Sequence, residues 1–213
     1  MTLTIDILAL GPVGTNCYIV RADATAAEAV VVDPGAEGGR ILSELDRLDA
    51  RCVAILVTHT HYDHIGAVAD LAEATGAPVY APAGEAMVLE DPDAFYGSLG
   101  LAIRPWTAAH YLEGGEELGL AGIDFDVVAV PGHSPAHLAF HADGALLSGD
   151  VLFAGSVGRT DLPGASWETL LDSIRTLAEG YAPDTVVHPG HGPRTTLRAE
   201  LASNPFLLEL RAS

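Results

Sequence analysis

A chain of 213 residues, 49% of them hydrophobic, is long enough for a well-cored domain and too apolar to be disordered. Its formal charge of −19 sets 29 acids against 10 cations, every one an arginine, and an average surface of that sign repels nucleic acid and anionic membranes. No apolar run approaches membrane-spanning length, and Met1-Thr2-Leu3-Thr4-Ile5-Asp6 lacks the basic start and apolar stretch of a signal peptide. A cytoplasmic location is therefore expected, with no nucleic-acid and no membrane partner.

In chain order, residues near 3–9, 16–22 and 28–33 read as strands, with Cys17 as a small buried apolar residue. Gly11-Pro12-Val13-Gly14 has no strand–loop–helix context for a phosphate site and reads as a plain turn. Ile41, Leu42, Leu45 and Leu48 have helical spacing, which predicts a helix near 37–49, followed by a strand over 51–57 that holds Cys52. Ile65, Val68, Ala69, Leu71 and Ala72 form a second helical stripe ending at Gly76, and Val79-Tyr80 is a short strand. The stretch 81–115, with Pro82, Pro92 and Pro105, is the least regular; short helices and a surface flap are expected there. Residues 116–120, 123–130, 137–141 and 144–148 read as consecutive strands. A helix over 167–178 buries Leu170, Leu171, Ile174 and Leu177, a strand follows at 185–188, and the tail from Thr195 is helix-prone up to Asn204-Pro205. No Pro/Ser-rich linker or shift of composition divides the chain, so residues 1–213 are read as one domain. Pattern alone supports a mixed α and β layered fold.

Four apolar runs end in metal-ligand chemistry. Ile55-Leu56-Val57 leads into Thr58-His59-Thr60-His61-Tyr62-Asp63-His64, and Val127 to Val130 leads into Pro131-Gly132-His133. Ala145-Leu146-Leu147 leads into Ser148-Gly149-Asp150, and Thr185-Val186-Val187 into His188-Pro189-Gly190-His191. Side chains at strand ends are aimed by a rigid scaffold while staying open to a cleft. His59 and His61, two apart, share a side of an extended chain. Imidazole and carboxylate without thiolate suit zinc, iron or manganese better than a structural cysteine site. An isolated histidine is ordinarily a packed or surface residue, but five histidines and two aspartates in one context need a common explanation. His110, His137, His141 and His188 have no such independent case.

His-x-His-x-Asp-His, then a His, an Asp and a last His in that order, resembles the metallo-β-lactamase superfamily. The detail is similar to its glyoxalase II-like hydrolases: Val32-Asp33-Pro34-Gly35, Pro131-Gly132-His133-Ser134-Pro135-Ala136-His137, Gly158-Arg159-Thr160-Asp161-Leu162-Pro163-Gly164 and Pro189-Gly190-His191-Gly192-Pro193. The resemblance implies a four-layer αββα sandwich with two divalent metal ions at one edge, zinc first, with iron or manganese as alternatives. It implies that His59, His61 and His133 hold one ion, that Asp63, His64 and His191 hold the other, and that Asp150 bridges them. A metal-bridging hydroxide would be the nucleophile, with Asp63 and Asp150 as the catalytic carboxylates. Asp33 reads equally as a turn former and as a support for the metal loop, His137 as a possible neighbour of the ligands, and Arg159 with Asp161 as a substrate-side pair or a structural ion pair.

The implied activity is hydrolysis of acyl-thioesters such as S-lactoylglutathione. The other readings are a mononuclear iron persulfide dioxygenase using His59, His133 and Asp150, a lactonase, and, least favoured among enzymes, a β-lactamase or an RNA-processing nuclease. A non-enzymatic metal-binding protein is the different-class alternative. Full glyoxalase II enzymes carry a C-terminal helical domain that supplies cations for glutathione, whereas only 22 residues (213 − 191) follow His191. Arg159 and Arg194 are then the candidate substrate-binding cations, and weak recognition of glutathione is expected. No Gly-x-Ser-x-Gly elbow offers a serine nucleophile.

Overall fold

The structure, a computed structural model, describes residues 3–208 and 210. Strands β1 (Thr4–Leu10) and β2 (Thr15–Arg21) form an antiparallel hairpin, paired from Thr4 opposite Arg21 to Leu10 opposite Thr15. The Gly11–Gly14 segment closes it as a turn, with the Gly14 N–H on the Gly11 carbonyl. Strand β3 (Glu28–Val32) pairs antiparallel with β2, and helix α1 (Gly38–Arg47) crosses over to the parallel strand β4 (Arg51–Leu56). Helices α2 (Tyr62–Ile65) and α3 (Val68–Thr75) lead to β5 (Val79–Pro82). Helices α4 (Ala86–Glu90) and α5 (Pro92–Tyr96) precede β6 (His110–Leu112), which completes a sheet of order β1-β2-β3-β4-β5-β6.

The second sheet begins as an antiparallel run of β7 (Glu117–Leu120), β8 (Ile123–Ala129), β9 (Leu138–Ala142) and β10 (Ala145–Gly149). A small hairpin of β11 (Leu152–Phe153) and β12 (Ser156–Val157) follows, and α6 (Trp167–Gly180), capped by the Ser166 side chain, returns the chain. Strand β13 (Val186–Pro189) then lies parallel to β10, β14 (Thr195–Thr196) pairs with β13, and α7 (Leu197–Ser203) follows. The sheet order is β14-β13-β10-β9-β8-β7.

Successive residues of a strand face opposite ways, so a strand buried on both sides feeds two cores. Cys17 and Ile19 of β2 pack with Ile41, Leu45, Val68 and Leu71 of the helices α1 and α3. Tyr18 and Val20 of the same strand pack instead against Phe125, Leu138 and Phe140 of the second sheet. Beyond that sheet, Ala139 and Leu146 meet Leu170, Ile174 and Leu177 of α6. Three cores separate four layers, helix, sheet, sheet, helix, which is the expected αββα sandwich.

The strands that the sequence reading passed over are the short ones, β6, β11, β12 and β14. A run of two or three residues carries no period; sheet pairing alone makes them strands. The stretch 81–115 does contain short helices, but Leu89, Ile103 and Ala108 are buried in the helix-side core, so it is anchored and not a free flap. Among the described residues no helix is long and apolar enough to cross a membrane.

Candidate metal centre

Strands β4, β8, β10 and β13 end at one edge of the sandwich, and their trailing loops meet there. Backbone bonds tie the sheets together at this edge: Leu138 N–H to the Thr58 carbonyl (2.8 Å) and Asn16 N–H to the Gly190 carbonyl (2.7 Å). The loops are thus set by the two sheets and not by their own conformational preferences.

His59 Nε2 lies 3.1 Å from His61 Nδ1, which lies 2.9 Å from His133 Nε2. Two nitrogens at 2.0–2.1 Å from one tetrahedral ion stand about 3.3 Å apart, so these three atoms are spaced as ligands of a shared ion. On the other side, Asp63 Oδ2 is 3.3 Å from His191 Nε2 and 3.6 Å from His64 Nε2. Asp150 belongs to both groups: Oδ2 is 3.5 Å from His133 Nε2 and 3.4 Å from His191 Nε2, while Oδ1 is 3.5 Å from His64 Nε2. His59, His61 and His133, and likewise Asp63, His64 and His191, each present donor atoms within 4.8 Å of one another. His64 Nε2 and Asp150 Oδ1 are buried and make no hydrogen bond. Orphaned buried polar atoms are costly, and a cation between them removes the cost. The donor set therefore fits two divalent ions side by side.

The electrostatics differ between the groups. Burial pushes His61 down to about 4, with His133 adding to the effect, and pushes His59 well below the ordinary imidazole range. These rings are neutral, with lone pairs free for an ion. His191, bonded to the carboxylates of Asp150 and Asp63, is pulled up to about 9. Burial opposes charge on His64, but Asp150 and Asp33 outweigh it and hold the ring well above the usual value. Protons on these two histidines answer the carboxylates where an ion would otherwise do so.

The supporting contacts determine which nitrogen of each ring faces inward. The buried Asp33 carboxylate accepts the Thr58 N–H (2.8 Å), the Thr58 hydroxyl (2.7 Å) and His64 Nδ1–H (2.9 Å). Thr58 Oγ1, its proton given to Asp33, accepts from His59 Nδ1 at 3.0 Å. The Arg159 carbonyl accepts from His133 Nδ1 at 2.8 Å. With Nδ1 fixed as the donor in all three rings, Nε2 faces the site: it is bare in the neutral rings of His59 and His133, and on His64 it is the nitrogen that an ion would strip of its proton. Asp33 also has φ of 51°, so its turn role and its supporting role coexist. His137 Nε2 accepts the Asp150 N–H at 3.1 Å, and its ring stacks on His59; it touches the ligand residues from behind. Gly190 has no alternative at its position: a Cβ there would stand 2.1 Å from Asp150 Oδ1 and 2.8 Å from His64 Cε1.

Two supports were not read from the sequence. Buried Glu85 accepts the Thr60 N–H and hydroxyl on Oε2 (both 2.8 Å), and the Ser134 hydroxyl (2.6 Å) and Ala136 N–H (3.0 Å) on Oε1. It clasps the loop of His61 to the loop of His133. The Thr15 hydroxyl donates to Asp63 Oδ2 at 2.6 Å. Nothing in spacing marks either residue, since their partners lie 25 to 51 positions away.

The candidate substrate cations fare differently. Arg159 lines the cleft of about 300 Å³ above the candidate ligands, together with Tyr96, Leu99 and Leu162, but its guanidinium makes a bidentate pair with Asp161 (2.6 and 2.8 Å). Both partners are more than 60% exposed, so the pair does little for stability. Arg194 lines another depression, beside Leu3, Asp143, Val186 and His188. The expectation that it lies near the cleft is corrected: the chain turns at Gly192 (φ 76°) into β14, which runs back along β13 and carries Arg194 away from His191. His188 is buried with its ring edge-on to Tyr18, and His110 stacks on Tyr80, both outside the ligand cluster.

The family model for the metallo-beta-lactamase superfamily matches residues 10–191. A relative from Bacillus subtilis named probable metallo-hydrolase YqgX is 36% identical over 93% of this chain and 94% of its own length. Another from Haemophilus influenzae, named hydroxyacylglutathione hydrolase GloC, is 34% identical over 96% of this chain and 98% of its own. Among solved structures, BLEG-1 B3 metallo-beta-lactamase superposes with a TM-score of 0.88 at 40% identity, over 96% of this chain and all of the other. TTHA1623 in a di-iron-bound form superposes with a TM-score of 0.84 at 42% identity, over 95% of this chain and all of the other. On sequence, fold and the convergence of its histidines and aspartates, this chain belongs to the metallo-beta-lactamase superfamily.

Proposed function

We propose that this metal-dependent hydrolase cleaves small acyl-thioesters, S-lactoylglutathione among them, at a binuclear centre held by His59, His61, His133, Asp63, His64, His191 and the bridging Asp150. The observation that carries the reading is the position of Asp150, whose carboxylate is 3.4–3.5 Å from donor atoms of both groups. Two divalent ions held there would supply an activated water near neutral pH and an electrophile for a carbonyl oxygen. Asp63 would hold one ion and orient that water: it is partly exposed to the cleft, anchored by Thr15, and ionised at neutral pH. Burial alone would raise its carboxyl, but the His191 bond and the His64 charge outweigh burial and bring it to about 2. Glu85, Asp33 and Thr58 hold the ligand rings so that binding energy is not lost to their motion.

The relatives named as a metallo-hydrolase and as a hydroxyacylglutathione hydrolase support this chemistry. Zinc is the metal proposed first; the di-iron form of one relative makes iron its competitor. The overall charge favours a small-molecule substrate over nucleic acid or membranes and suits a cytoplasmic setting. A β-lactam is a second substrate reading, on the single ground of the similar structure named as a B3 metallo-beta-lactamase. The complete second group of Asp63, His64 and His191 counts against the mononuclear dioxygenase reading.

The test is to load the protein with zinc, iron or manganese, count ions per chain, and measure kcat/KM on S-lactoylglutathione, a lactoyl thioester of a small thiol and a chromogenic cephalosporin. Two ions and thioester turnover within about tenfold for the two thiols are expected. Absence of thioester hydrolysis with every metal refutes the proposal. Cephalosporin turnover alone would move the activity to β-lactams, and oxygen consumption on a persulfide would move it to the dioxygenase.

A further inference from the structure

The cleft over the metal ligands continues into a second cavity of about 490 Å³, and the two share His61, Tyr96 and Leu162 on their walls. Away from that junction the second cavity is walled by Met87, Val88, Phe95, Pro135 and Pro163. Its volume falls in the range of small-molecule sites. Met87 is 73% exposed and Phe95 47% exposed, an apolar display that a soluble protein ordinarily keeps small unless something binds there.

The charged groups around it are accounted for. The acid at its floor, Glu85, is buried with four donors on its two oxygens, so it offers nothing to a ligand except negative potential. Among the described residues no arginine lines the cavity. Arg159 on the adjoining cleft is engaged by Asp161, and Arg194 lines a different depression. An anionic substrate arm would therefore meet apolar side chains and a buried carboxylate, and would lose its hydration without a partner. A hydrocarbon arm would lose only its contact with water, which is favourable.

We propose that this cavity is a specificity site for an uncharged, apolar arm of the scissile substrate, so that the preferred thioesters carry an aliphatic or aryl group and not the carboxylates of glutathione. The assignment rests on the hydrolase reading for its chemistry but on the cavity itself for its ligand. Its wall joins the metal ligands through His61, so an arm seated there is attached to a carbonyl within the cleft.

Two series of neutral thioesters test it with the metal-loaded protein. In one, the acyl group of N-acetylcysteamine thioesters grows from acetyl to butyryl to hexanoyl; in the other, acetyl thioesters are made with thiols of increasing chain length. Each buried methylene is worth up to about fourfold, so kcat/KM is expected to rise at least about tenfold along one series, and the series that rises identifies the arm. Phe95→Asp is expected to flatten that rise, and Phe95→Leu to keep most of it. A flat response in both series, or S-lactoylglutathione preferred over the hexanoyl thioester by more than about tenfold, overturns the proposal. A separate readout is binding of a non-hydrolysable S-hexyl thioether by calorimetry. At least about tenfold tighter binding to wild type than to Phe95→Asp supports the site even if no thioester is hydrolysed, in which case only the hydrolase reading fails. Equal binding to both overturns the site.

Discussion

Replacing Asp33 by Asn keeps the shape of a side chain that is only 2% exposed and changes what its outer atoms can do. The carboxylate takes three donors: Thr58 N–H on Oδ1, and the Thr58 hydroxyl and His64 Nδ1–H on Oδ2. An amide that keeps its oxygen toward Thr58 N–H turns its NH₂ toward the other two. The Thr58 hydroxyl can rotate and accept. His64 can accept only with Nδ1 bare, which places the ring proton on Nε2, the atom facing Asp63 and Asp150. That nitrogen is then unable to bind an ion until the tautomer is reversed against an unfavourable contact. A partner lost behind a ligating histidine typically costs 10–100-fold in metal affinity, or roughly 1.4–2.7 kcal/mol. The ion-free protein loses a buried charge-assisted bond worth about 1.5–3 kcal/mol, which for a chain of this size lowers Tm by roughly 3–12 °C. Metal affinity by chelator competition and Tm by calorimetry, both on purified Asp33→Asn, measure the two effects separately. Affinity for the second ion within about twofold of wild type, with Tm lowered as expected, would refute the tautomer argument and leave Asp33 a purely structural residue.

Asp150→Ala is expected to retain less metal than His137→Ala, by elemental analysis of the purified proteins, because Asp150 faces both ligand groups while His137 accepts the Asp150 N–H and stacks on His59 from behind; equal contents would contradict this ranking. Glu85→Gln sets an NH₂ against two donors and should cost about 1.5–3 kcal/mol of stability while lowering kcat/KM through the His61 and His133 loops; unchanged denaturation and kinetics would remove Glu85 from the positioning set. Metal uptake near pH 7 should release protons, because His191, raised to about 9, and His64, also raised, hold protons that the ions displace. Apparent affinity should therefore climb as pH rises through about 9, where His191 gives up its proton, and calorimetry in buffers of different ionisation enthalpy reads the number released.

The sequence by itself determined the features written into neighbouring residues. Short continuous apolar runs, Cys17-Tyr18-Ile19-Val20 in Thr15–Arg21 for one, mark the strands buried on both faces, and helical spacing marks α1, α3 and α6, because such patterns are a property of the local chain. His-x-His-x-Asp-His and the other strand-end motifs named the seven residues that the fold gathers at one edge, since each motif is only a few residues long. What only the tertiary structure decided joins positions far apart in the chain. Asp33 supports His64 and, through Thr58, His59 by bonds across 25 and 31 positions, which turned an undecided turn residue into a support. Glu85 was invisible because its four donors come from two loops on opposite sheets, and no local pattern encodes such a meeting. Arg194 sits three residues after His191 yet leaves the cleft, because strand pairing with β13 overrides proximity along the chain. The apolar cavity beside His61 is likewise assembled from segments near residues 87, 95, 135 and 162, whose side chains share a wall only after the two sheets have packed.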